Sequence, residues 1–69
     1  MIEVFKTNVQ EVDQSEMIVG KLLEHFPDSN INFDLEDCDK ILRVHASSIS
    51  KRKIIDLLHS YGFHCEVLL

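Results

Sequence analysis

An α+β fold, with four antiparallel strands and two helices on one face of the sheet, is predicted by three features of this sequence. The apolar residues change period along the chain in the order strand, helix, strand, strand, helix, strand. Both helical stretches carry start or stop residues at their ends. And 69 residues leave room for one domain, 1–69, around a single core. A split βαβ sandwich is the most economical packing of that order.

The run "IEVFK" is rich in strand formers, so residues 2–7 are expected to be the first strand. Asp13 followed by Glu16 has the spacing of a capping box, and Ile18, Val19, Leu22, Leu23 and Phe26 recur at helical intervals. A helix over 14–26, stopped at Pro27, follows. In "NINFDLED" Ile31, Phe33 and Leu35 alternate with Asn32 and Asp34, the pattern of a half-buried strand. After the polar turn "EDCDK", "ILRVHA" alternates again, with Leu42, Val44 and Ala46 opposite Ile41, Arg43 and His45, completing a hairpin. Serines in "SSIS" precede a second helix with a buried stripe of Ile54, Leu57, Leu58 and Tyr61, and Gly62 ends it. The closing "FHCEVLL" is expected as the last strand, Phe63, Cys65 and Val67 facing inward against His64, Glu66 and Leu68. This is the ferredoxin-like topology, which hosts many unrelated functions.

Composition narrows the partners. The chain is 45% hydrophobic and 28% charged, as ordinary globular domains are, and its net charge of −5 argues against nucleic acid, which needs a basic patch. Neither a membrane span nor the basic start and apolar middle of a signal peptide is present, so a cytoplasmic protein without membrane insertion is expected. Two cysteines, Cys38 and Cys65, are too few for a disulfide framework and are expected as free thiols.

From "IVGKLLEHFPDSNINFDLEDCDKILRV" through "KIIDLLHSYGFHCEV" the chain resembles the heavy-metal-associated domain, the fold of small copper chaperones and of the amino-terminal modules of metal-pumping ATPases. The resemblance is sharpest at Ile54, Ile55, Leu58, Tyr61, Gly62, Phe63 and Glu66, where that family has a helix followed by Gly-Tyr-x-x-Glu. It implies a metal-carrier fold whose first loop holds Met-x-Cys-x-x-Cys. Aligned from Ile18 and Leu22, that motif falls on Val9, Glu11 and Gln14. Thiolates select soft ions such as Cu(I), whereas carboxylate and amide oxygens suit hard cations, so ordinary copper chaperoning at this loop is rejected.

Other ligands remain candidates. The expected topology gathers Glu11, Asp13, Glu36, Asp37, Cys38, Asp39, His59, Tyr61 and His64 at one end of the sheet. Cys38, His59 and His64 with nearby carboxylates form a candidate metal set, although no pair has a dedicated ligand spacing, and acidic turn residues commonly serve turn geometry. Cys38 lies in an exposed turn between Asp37 and Asp39, which oppose a thiolate's negative charge, while Cys65 has core parity. His25 and His45 fall at the opposite end of the sandwich. Lys51, Arg52 and Lys53 sit in the first turn of the second helix, either as a small docking site for an acidic group or as a solvated face.

The uncovered sheet face is the remaining surface. If Ile2 and Val4 point towards the helices, Phe5 faces outward near Ile41 and Leu68, with Arg43 and His64 around them, and forms an apolar contact patch. Phe5→Ser would then leave the fold intact. No nucleophile and oriented base suggest an enzyme. A first loop without glycine makes an amino-acid-sensing regulatory domain a poor fit. Two expectations remain: a non-enzymatic module without a resident cofactor that acts through a protein partner or self-association, or a metal-binding or metal-chaperone module with non-standard ligands.

Overall fold

A computed structural model describes residues 1–68, and its elements follow the order read from the pattern: β1 (Ile2–Thr7), α1 (Val12–His25), β2 (Asn30–Asp34), β3 (Ile41–His45), α2 (Lys51–Ser60) and β4 (Cys65–Val67). The four strands form one antiparallel sheet in the order β2-β3-β1-β4, which leaves β2 and β4 at its edges. β1 and β3, separated in the chain by α1 and β2, thus become neighbours in the middle of the sheet, as the split βαβ arrangement requires. No described helix is long and apolar enough to cross a membrane.

One face of the sheet builds the core. Phe5 of β1, Leu42 and Val44 of β3 and Cys65 of β4 pack with Ile18 and Leu22 of α1 and Ile54 and Leu58 of α2. Ile31, Phe33 and Val67 extend this layer at the sheet edges, half-buried. The helices therefore cover one face only, and burial of these side chains is the main favourable term.

The parity of β1 is the reverse of the expected one. Phe5 is fully buried, opposite Leu42 on one side and Val67 on the other, while Ile2 is 59% exposed. Strand alternation then places Glu3, Phe5 and Thr7 on the helix side and Lys6 in solvent. Glu3 tolerates this position because it lies near the strand's start, where Lys51 of α2 approaches its carboxylate at 3.7 Å. Burying the phenyl ring and freeing the Lys6 ammonium outweighs leaving Ile2 and Val4 less covered.

Helix α1 starts two residues before the expected position. Glu11 is its N-cap, and the side chain of Gln14 accepts from the Glu11 N–H at 3.3 Å, while the Gln14 N–H donates to Asp13 Oδ1 at 3.1 Å. The first turn is thus closed by residues 11–14 rather than by Asp13 with Glu16. Further along, the apolar stripe divides. Ile18 and Leu22 enter the core, but Val19 is half-buried and Leu23 is 38% exposed.

Strands β2, β3 and β4 are shorter than their sequence patterns. Beyond Asp34 the chain bends, and Leu35 still packs against the core. Asp37 Oδ1 accepts from the Asp39 N–H at 2.8 Å and the Asp37 carbonyl from the Lys40 N–H at 3.0 Å, so the hairpin closes around Asp37. Lys40 has a left-handed φ of 47° and is held there by Thr7 Oγ1, which donates to its carbonyl at 2.6 Å. The expected last strand over 63–69 contracts to Cys65–Val67, and its final residue, 69, lies outside the described residues.

Helix α2 begins at Ser50, whose hydroxyl accepts from the Lys53 N–H at 3.4 Å. It ends one residue before Tyr61, which is 42% exposed rather than part of the buried stripe. Gly62 has φ 86°, and the Gly62 and Phe63 N–H groups return to the carbonyls of His59 and Leu58 at 2.9 and 3.0 Å. This is a Schellman ending. A Cβ at Gly62 would meet no atom within 4 Å, so Gly62→Ala is expected to destabilise by backbone strain alone, about 1–2 kcal/mol in urea unfolding.

Candidate functional site

The three loops expected at one end of the sheet do meet. The Asp39 carbonyl accepts from the Thr7 N–H at 3.0 Å, and Asn8 Oδ1 accepts from the His64 N–H at 2.7 Å. These bonds tie the loop after β1 to the hairpin and to the loop before β4. Their side chains do not, however, assemble the expected metal set. Among the described residues, the group of three or more potential ligands that closes to within 4.8 Å is Asp37, Cys38 and Asp39, without His59 or His64. Asp37 is occupied in the turn, and Asp39 lies 3.8 Å from the Lys6 ammonium. His59 and His64 are exposed neighbours of each other, with ring centroids 6.4 Å apart.

The positions aligned with the metal loop have other employment. Val9 is fully buried in the core, and Glu11 and Gln14 close the first turn of α1. Of the two thiols, Cys38 is exposed and Cys65 is buried. Removal from water, with a smaller contribution from the Glu66 carboxylate, pushes the Cys65 thiol up to about 12. A thiol held neutral in this way is a poor nucleophile at neutral pH. In the basic triplet, Lys51 pairs with Glu3 and Arg52 with Asp56 at 3.3 Å, so two of its three charges are offset within the fold.

The proposed apolar patch on the open sheet face does not form as expected. Phe5 belongs to the core, and Ile41, on the opposite face of β3 from Leu42, is 5% exposed. Arg43 is exposed and donates to Asn32 Oδ1 at 3.2 Å, while Leu68 is 38% exposed beyond the end of β4. The face that remains is mixed in polarity, with Asn30, Asn32, Asp34 and Glu66 among its exposed residues. Strand parity alone produced the error, since β1 carries apolar residues on both of its faces.

A different surface combines apolar area with one sign of charge. Between α1 and the edge strand β2 runs a groove of about 480 Å³ lined by Val12, Val19, Phe33 and Leu35, with Ser15, Glu16 and Glu36. It exists because α1 turns Ile18 and Leu22 inward while Val12, Val19 and Leu23 form a second stripe on its flank. Val12 is 64% exposed. Beside this groove, β2 has a partner on only one side, so part of its backbone hydrogen-bonding capacity faces outward. A second groove of about 480 Å³, lined by His25, Phe26, Lys53, Asp56 and Leu57, carries both signs of charge. The flank stripe was visible in the spacing of Val12, Val19 and Leu23, and the expected topology already put β2 at an edge, but nothing in the sequence said that the stripe would lie open beside that edge.

No protein-family model, curated protein or solved structure matches this chain.

Proposed function

We propose that this chain is a non-enzymatic binding module, resembling the heavy-metal-associated domain without its thiolate pair, and that it acts through protein contacts on the side formed by α1 and β2. The observation that carries this reading is the apolar groove lying directly beside an unpaired strand edge. Such an edge supplies main-chain hydrogen bonds to an incoming strand, and the groove accepts alternate side chains from it. Glu11 and Gln14 favour the loss of metal carriage, because their polar groups serve the helix start.

The alternative, metal binding with non-standard ligands, is favoured by the proximity of Asp37, Cys38 and Asp39. One experiment separates the two. Amide NMR shifts are followed while the reduced protein is titrated with strand-forming peptides of basic, neutral and acidic composition, and separately with Zn(II), Cu(I) and Ni(II). Protein contact predicts peptide-induced shifts in residues 12–19 and 30–36. Metal-induced shifts confined to 36–40 and 59–65, with a micromolar constant and no peptide response, would replace it with the metal reading.

A further inference from the structure

Resting on that reading of the α1 and β2 side, we propose that its occupant is an extended segment alternating apolar with basic residues, which adds to β2 as a fifth strand. The chemistry follows from what surrounds the edge. Glu16 and Glu36 line the groove, and Asp34 stands on β2 itself. Among the described residues, none of these three carboxylates forms an ion pair. The nearby lysines are committed elsewhere: Lys40 donates to the Leu35 carbonyl at 2.8 Å, Lys6 faces Asp39, and Lys21 lies 3.5 Å from Glu24.

Strand alternation assigns the two kinds of residue to their places. Ile31, Phe33 and Leu35 are the half-buried residues on the groove side, and Asn30, Asn32 and Asp34 are the exposed ones between them. A strand paired with β2 directs every second side chain towards Phe33, Leu35, Val12 and Val19, where apolar groups displace water. Its remaining side chains lie beside the exposed row. There the basic ones belong at the Asp34 and Glu36 end, because Arg43 already occupies Asn32 near the strand's middle.

A second copy of the chain fits less well. Isologous pairing of two β2 edges would bring together two acidic grooves on molecules that each carry a net charge of −5. Charge complementarity across an edge favours an oppositely charged strand and suppresses a like-charged one. The groove between α1 and α2, which has both Lys53 and Asp56 in its lining, offers no such preference.

The test uses the whole chain and three short acetylated, amidated peptides, with Lys or Arg, Ser, or Glu alternating with Val or Ile. The basic peptide is expected to shift amides in 12–19 and 30–36, to bind roughly ten-fold more tightly than the Ser peptide, and to weaken as salt screens the contact. Asp34→Lys with Glu36→Lys changes two exposed side chains at the end where the basic residues belong, and should remove that ten-fold preference while leaving the urea midpoint nearly unchanged. Equal binding of the basic and Ser peptides at the same amides would overturn the basic partner but keep the protein-contact side. Shifts outside β2 and α1, or no binding by any of the three, would overturn both. Sedimentation showing a dimer whose interface maps to β2 would make the occupant a second copy and overturn the basic strand.

Discussion

Phe5→Ser is expected to unfold the protein at room temperature. The ring is fully buried between Leu42 and Val67 on the core face of the sheet, so its removal leaves a cavity in the hydrophobic core. Truncating a core phenylalanine costs about 3–5 kcal/mol, and a buried hydroxyl without a partner adds roughly 1–3 kcal/mol. A domain of 69 residues has a total stability of roughly 3–10 kcal/mol. The two losses together reach most or all of it. Far-UV circular dichroism and urea unfolding provide the check, with Phe5→Leu as the milder companion, expected to keep a cooperative transition at a lower midpoint. A Phe5→Ser protein with the wild-type midpoint would place the ring back on the surface and reverse the parity of β1.

Cys65→Asp is expected to be nearly as damaging, for an electrostatic reason. Cys65 is 4% exposed in the core, opposite Thr7. An unpaired carboxylate there costs several kcal/mol, comparable with the stability of the domain. Cys65→Ala removes only a small apolar group and should be mild. The native thiol has a pH signature of its own. Its pKa rises from an ordinary 9.0 to about 12 through burial first and Glu66 second, so between those values the unfolded chain loses a proton that the native chain keeps. The native state then binds more protons, and stability falls with rising pH by roughly 1.4 kcal/mol per unit across that window. Below pH 9 the contribution is fully present. Cys65→Ala should flatten this alkaline slope, measured as urea midpoints from pH 8 to 11. Thiol labelling of the native protein at neutral pH gives an independent reading: exposed Cys38 should react first, and rapid labelling of Cys65 would contradict its burial.

The same two residues show how far the candidate site was legible. Cys65 has a buried parity that alternation with Phe63 and Val67 made plain, because its strand has one apolar row. Phe5 sits in a strand with apolar residues on both rows, Ile2 and Val4 against Phe5, and a period of two cannot choose between them. The convergence of three loops followed from the order of elements alone. Whether side chains from those loops would meet did not, since Cys38, His59 and His64 share an end of the sheet without sharing a site.

By itself the sequence determined the order and type of all six elements, a serine start within "SSIS" and the Gly62 ending of α2, and the absence of thiolates from the loop after β1. Each depends on short-range chemistry: hydrophobic period, a hydroxyl within reach of a backbone N–H, a glycine where φ is positive. Tertiary structure alone decided which face of β1 is buried, how α1 divides its apolar residues between core and flank, and that this flank lies open beside the edge strand β2. These depend on groups far apart in the chain. Lys51 reaches Glu3 from α2, and Phe5 meets Leu42 across the sheet, so the choice was made by packing between elements that no local pattern encodes.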